Sequence, residues 1–426
     1  MRLGIVYDQL IAPIFPGGGG LHSLEVVKRL AKEFEITYFP SSRLFLRWGD
    51  RKEEVLKKVN EVEKFVKVAE AFPYLLDKVN PSGFKQFFPR DTARLVARAY
   101  SEEAKKVDFL YEPDHTSLDI FYLAKYAQRK FGITLQATPY YEDSLEYLRK
   151  LVKTRFNRCM FMERRGFLTR YIYNETYLKP VHKALFRGSL PSFISSVSEG
   201  PIIEAGLDKL GIPKIVLRPG NAFEDKLLRF RNTSDKEDYI LYFGVLAEHK
   251  GVLELPEIFA KVRKKKDVRL VLMGKFSSPC IEKLFWKKIS SLGLDKYVEY
   301  LGFIDRRQEL ERFSAIISRA KALIYPTHAD SFSLAILESL ALGTPAISYD
   351  IPGVRSIYSG LRSVELVNEF DIVSAANKTV KILDMNPAEY ESVMNEEKLE
   401  GFLKLYSSWD NVAEAERKVI TYYSQV

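Results

Sequence analysis

The sequence predicts an α/β protein built from two Rossmann-like domains, and three observations carry that expectation. At 426 residues the chain is long enough for two separate cores. Short apolar runs that read as buried strands alternate with segments whose apolar residues recur at helical spacing. Repeatedly, a strand runs through a turn into a helix, as from Leu3 to Phe34 through Gly17–Gly20 and from Ala322 to Leu342 through Pro326–Asp330.

Composition narrows the class. An apolar fraction of 46% with 19 Pro and 23 Gly describes an ordered globular chain, not a disordered or fibrous one. Cys159 and Cys280 are too few for a disulfide framework and lack zinc-ligand spacing, so a reducing setting is the simplest reading. No run approaches the roughly 18 apolar residues of a spanning helix, and Met1–Tyr7 passes into a strand without a signal region. The expected location is cytoplasmic, soluble or peripheral at a membrane.

Charge is unevenly placed. The net +9 of the whole chain is matched by one segment, Arg149 to Arg187, where eleven Lys and Arg face only Glu163 and Glu175. Aromatics alternate with these cations across residues 142–190. Helices with solvated basic faces and an anionic membrane surface are equal readings; nucleic acid, without any accompanying motif, ranks well behind.

In chain order, Leu3–Tyr7 reads as a strand. The helix after the glycines places Leu21, Leu24, Val27, Leu30, Ala31 and Phe34 on one face, and Ile36–Phe39 completes a βαβ unit. Backbone N–H groups beside Gly18 and Gly19 can approach an anion there. Glu53–Val68 and Arg90–Lys106 read as covering helices. Val107–Tyr111 is a strand, and the loop after it puts His115 at the carboxyl edge of the sheet. A helix is expected over Leu118–Phe131, then strands over Thr134–Thr138, Phe193–Val197 and Ile215–Leu217, and a linker near 219–238. The second half repeats the alternation: strand Tyr239–Phe243, turn Gly244–Gly251 and helix Val252–Lys264, followed by strands Arg269–Met273, Val298–Leu301, Ala322–Tyr325 and Ala346–Tyr349.

The densest stretch is Tyr325-Pro-Thr-His-Ala-Asp330-Ser331-Phe332-Ser333-Leu-Ala-Ile-Leu-Glu338. Asp330 lies before a helix expected to open near Ser331, where free N–H groups and the helix dipole would also hold a diphosphate. Glu338 lies about two turns further along. This acid-x7-acid spacing resembles the signature of the retaining glycosyltransferases of family 4, which have the GT-B fold. Gly17–Gly20, Lys250-Gly251, Gly302-Phe303-Ile304 and Ser407-Ser408-Trp409-Asp410-Asn411-Val412-Ala413 resemble further stretches of that family in order. Three departures are visible: Asp330 stands in place of Glu, Ser333 in place of Gly, and Val245 where the family carries Arg.

The resemblance implies two Rossmann-like domains facing each other across a cleft. Residues 1–222 would bind the acceptor, 223–400 the nucleotide-sugar, and 401–426 would cross back as a final helix. It implies retaining transfer of a hexose from a UDP- or GDP-sugar to an acceptor hydroxyl, on a glycan or a lipid-linked acceptor, with no cofactor and no obligatory metal. His115, Lys250, Asp330 and Glu338 would be the catalytic set. Gly18, Gly19, Gly244, Gly302, Phe303, Ile304, Ser331, Phe332 and Ser333 would hold the donor. Two other classes stay open: a catalytically silent nucleotide-sugar-binding subunit of a membrane assembly, and a nucleotide-sugar epimerase or hydrolase.

Overall fold

The computed structural model describes residues 1–13, 18–79, 89–137 and 172–426. Among the described residues, thirteen parallel strands fall into two sheets. The first holds β1 (Arg2–Tyr7), β2 (Glu35–Pro40), β3 (Lys67–Val68), β4 (Phe109–Glu112), β5 (Phe131–Leu135), β6 (Phe193–Ser196) and β7 (Lys214–Val216), in the order β3-β2-β1-β4-β5-β6-β7. The second holds β8 (Glu237–Leu246), β9 (Arg269–Phe276), β10 (Val298–Tyr300), β11 (Ala320–Tyr325), β12 (Ala346–Tyr349) and β13 (Val364–Val367), in the order β10-β9-β8-β11-β12-β13. Helices cover both sheets, which is why the central strands read as unbroken apolar runs instead of alternating ones. Two separate apolar cores result, one around each sheet.

Both sheets reverse strand order at an inner pair, β1/β4 in the first and β8/β11 in the second. Connections on the two sides of such a pair leave in opposite directions, which opens a crevice at the carboxyl edge. Tyr7 and Glu112 end one pair and Leu246 and Tyr325 the other, so the loops that follow them are placed at ligand-binding edges.

Several expected elements shift. The helix expected over 53–68 stops at Val62, and Lys67–Val68 pairs with Thr37–Tyr38 as the edge strand β3. The helix expected to reach Phe131 is Asp119–Ala127, ended by Gln128 at φ 54°, and β5 begins at Phe131. Gly18–Gly20 are not a loop but the first turn of the helix Gly18–Leu30. Gly17, the end of the expected strand at Thr138, and residues 142–171 of the basic segment lie outside the described residues. Cys280, in the helix Pro279–Ser291, is disulfide-bonded, which the reading of a reducing setting did not anticipate.

The chain passes between lobes twice. After β7 it enters the second lobe. The helix Glu397–Tyr406 still packs in the second core, whereas Val412, Ala413 and Ile420 of the helix Trp409–Gln425 lie in the first. Phe223 N–H donates to the Tyr406 carbonyl at 3.0 Å, joining the two passages. Glu416 of the last helix is buried in the first lobe, 2.6 Å from His22 Nε2, and accepts from the Tyr111 hydroxyl. Among the described residues no helix is long and apolar enough to cross a membrane.

Candidate active site at the lobe edges

At the β8/β11 edge, Lys250 and Asp330 come together. Lys250 sits in the tight turn after β8 and donates from Nζ to Asp330 Oδ2 at 2.8 Å and to the Ala329 carbonyl at 2.9 Å. The next residue has to be glycine: Gly251 has φ +74°, and a Cβ there would stand 2.0 Å from the Pro326 carbonyl oxygen. Without that close approach Lys250 could not lie over the β11 exit loop.

Asp330 is half-buried and reaches in two directions. Oδ2 takes the lysine and the Tyr325 hydroxyl at 3.3 Å, while Oδ1 accepts from the amides of Ser333 at 2.8 Å and Phe332 at 3.3 Å. Burial alone would raise its pKa, but the Lys250 charge and these amides outweigh it and hold the carboxyl below the usual range. The helix then starts later than expected, at Leu334. Ser333 is its N-cap residue at φ 64°, and the Ser331 carbonyl accepts from Ser198 Oγ of the first lobe.

Glu338 is buried on that helix and ion-paired with Arg306. Burial dominates and raises its pKa, with Glu224 adding to the effect and Arg306 opposing it. Of the three arginines that could supplement Lys250 in place of Val245, Arg306 touches the site, Arg355 is bound to Asp350 at 2.6 Å, and Arg218 is exposed. Val245 itself is 56% exposed. Gly244 and Gly302 have positive φ, Phe303 is 70% exposed, and Ile304 is buried at the base of the same loop.

At the β1/β4 edge, His115 does not open onto a cleft. It is buried, because the helix Lys179–Gly188 lays His182 and Phe186 against it. Its Nδ1 is 2.5 Å from Glu112 Oε2 and its Nε2 2.6 Å from His182 Nε2. Burial, with Arg43 adding, lowers its pKa to about 3, so the ring is neutral. Gly19 presses on Asp114, where a Cβ would stand 2.7 Å from Oδ2. Asp114 also accepts from the Tyr7 hydroxyl at 3.1 Å, and burial, with Asp8 adding, raises its pKa to about 7. Among the described residues no contact joins His115 to Lys250, Asp330 or Glu338, and no group of three or more His, Cys, Asp or Glu side chains could hold a metal ion.

Residues 224–399 match the family described as glycosyl transferases group 1. The second lobe is thus similar to the group 1 glycosyl transferases over most of its length. The chain is 26% identical over 197 residues to an uncharacterized glycosyltransferase of Methanocaldococcus jannaschii, covering 45% of this chain and 47% of that protein. It is 20% identical over 139 residues to O-antigen chain mannosyltransferase B of Escherichia coli, covering 33% and 35%. The matches therefore span between a third and a half of these relatives. Over the full length of both chains, the fold matches HepE of Anabaena in complex with UDP, at a TM-score of 0.64 and 13% identity. Sucrose-phosphate synthase from Thermosynechococcus elongatus matches at 0.64 and 16%, covering 99% of each chain. The two-lobed architecture is the GT-B fold.

Within the second lobe, Ser333 bears on one of the three departures. Its φ of 64° lies in the left-handed region that glycine adopts without a Cβ penalty, and its buried hydroxyl has no hydrogen-bond partner. Ser333→Gly is expected to raise stability by ~0.5–1 kcal/mol. A urea midpoint equal to or lower than that of the parent would refute the strain. Sequence reasoning missed Asp8, Asp114, Glu112 and His182. The first two directly follow or nearly follow the strands of the inner pair, a signal available once that pair is known; His182 had none, being 67 residues from its partner.

Proposed function

We propose that the chain is a retaining glycosyltransferase that moves a hexose from a UDP- or GDP-sugar to an acceptor hydroxyl. The observation that carries the proposal is the Lys250–Asp330 pair at the inner strand pair of the second lobe, with the amides of Phe332 and Ser333 beside it and Glu338 on the same helix. In the reaction the bond from the anomeric carbon to the diphosphate oxygen breaks, a bond from that carbon to the acceptor oxygen forms, and the acceptor proton passes to the leaving diphosphate oxygen. The diphosphate departs with added negative charge, and preorganised cations and N–H groups lower that barrier most. Lys250 and the helix start supply them, Glu338 holds the ribose, and Asp330 faces the sugar hydroxyls. Phe303 and Ile304 border the base. Gly18 and Gly19 meet the donor from the first lobe, and on that lobe the neutral His115 ring is a hydrogen-bonding group and not a cation.

That HepE was crystallised with UDP supports a uridine donor. Incubating the purified chain with UDP- and GDP-sugars tests the reading: it predicts slow release of nucleoside diphosphate without acceptor, faster with one, and retained anomeric configuration. Binding without turnover would make it a silent subunit, and altered sugar released without acceptor an epimerase. The cationic segment 149–187 is proposed to meet an anionic membrane carrying the acceptor. Vesicle flotation that is equal for anionic and neutral lipid, at low salt, would remove that part.

A further inference from the structure

The loop between β11 and the helix Leu334–Ala341 carries a second ionic group that the chemistry above leaves unused. His328 is buried, and both ring nitrogens meet carboxylates: Nε2 lies 3.0 Å from Glu254 Oε1 and Nδ1 lies 2.8 Å from Glu369 Oε1. Tyr349 donates its hydroxyl to Glu254 Oε2 at 2.6 Å. Phe370, with backbone φ 70°, stacks its ring on the imidazole at 4.5 Å between centroids. These groups come from different elements. Glu254 precedes the helix Leu255–Arg263, Tyr349 belongs to β12, and Glu369 and Phe370 follow β13. One imidazole thus fastens the β11 exit loop to three neighbours.

The same few residues set the site. The amides of His328 and Ala329 donate to the His249 carbonyl at 2.9 and 3.3 Å, and the residue after His249 is Lys250. Ala329 and Asp330 in turn receive the Lys250 ammonium. A neutral imidazole has one N–H, so it would turn a lone pair toward one of the two carboxylates; only the imidazolium satisfies both. Burial works against that charge, but the hydrogen bonds to Glu254 and Glu369 outweigh it and leave the pKa raised.

We propose that His328 is a positioning residue: an imidazolium clasped by Glu254 and Glu369 that keeps Lys250 and Asp330 in register for the departing diphosphate. The clasp stands on its own geometry, and what it positions rests on the function proposed above. The sign follows from linkage. A proton held more tightly in the folded state contributes stability in full below the unfolded imidazole pKa of about 6.5 and loses it as pH rises through the raised folded value. Among the described residues, the titratable groups facing the ring include Glu254, Glu369 and, through Glu254, Tyr349, with Asp371 adding charge near that tyrosine. Turnover therefore has an alkaline limb set by His328.

Two measurements test this. In protein labelled with ¹⁵N-histidine, His328→Gln identifies the resonances of the ring. Both nitrogens should be protonated at neutral pH and should deprotonate at higher pH than an unperturbed imidazole; a neutral tautomer at neutral pH overturns the clasp whatever the enzyme does. In donor turnover, His328→Gln should lower kcat by ~10–100-fold with little change in KM, the size expected of a sub-ångström displacement of catalytic groups. Glu369→Gln should move the alkaline limb to lower pH. The double variant, with a neutral amide pair in place of the ion pair, should recover part of kcat and lose the limb. A purely structural histidine would lower the melting temperature and leave the limb where it was, which would refute the positioning role. If the unaltered chain turns over no nucleotide-sugar, the functional reading falls, and the nitrogen titration still decides the clasp.

Discussion

Glu338→Ala is expected to reduce nucleotide-sugar turnover by ~100-fold or more while the chain stays folded. The carboxylate lies on the helix Leu334–Ala341, buried and facing Arg306. If it accepts the ribose hydroxyls, each hydrogen bond to a charged group is worth about 1.5–3 kcal/mol, and two of them account for the loss. The variant also leaves the Arg306 guanidinium without its carboxylate, so the melting temperature needs to be read beside the rate. Glu338→Gln preserves volume and one acceptor oxygen and should fall between the two. Unchanged kcat/KM in Glu338→Ala would take Glu338 out of the mechanism.

Lys250→Ala should cost kcat ~100–1,000-fold, the range for removing one preorganised stabiliser of leaving-group charge, with a smaller effect on KM. The site contains little else that can take over, because Val245 offers no charge and Arg306 is engaged with Glu338. The substitution acts on Asp330 as well. Its carboxyl is held below the usual range against burial, and Lys250 supplies the largest part of that opposition. In the parent this ionisation contributes stability above the unfolded carboxylate pKa, lost as pH falls through the depressed folded value. Without the ammonium, burial prevails and the Asp330 pKa rises, so the acid limb of any residual activity should move to higher pH. A Lys250→Ala enzyme with parental kcat and an unmoved acid limb would dismiss both roles.

The sheets were legible because their strands are buried on both faces: Tyr239–Phe243 and Ala346–Tyr349 carry no polar alternation to confuse with a helix. β3 was not, since two residues, one of them exposed, carry no pattern. The helix before β5 was read too long because Gln128 adopts a left-handed conformation without being glycine, and Phe131 beyond the break stands at helical spacing from Ala127. The start of the helix carrying Glu338 moved to Leu334 for a related reason, as Ser333 turns left-handed and Asp330 takes the amides of Phe332 and Ser333. Lys250 beside Asp330 could be expected from two loops at the carboxyl edge of one sheet. The partners of His115, His328 and Glu338 could not, because the Glu254–His328, Arg306–Glu338 and His115–His182 pairings join residues 74, 32 and 67 positions apart.

The bond from Phe223 N–H to the Tyr406 carbonyl also bears on motion. Two peptide tethers that travel separately would let one half twist and slide freely on the other, but these are stitched together where they pass. Joined in this way, the two tethers favour opening and shutting about one line, like a book with a doubled spine, over independent sliding. Cutting the chain between Tyr406 and Trp409 would leave a single tether, and a looser pair of halves.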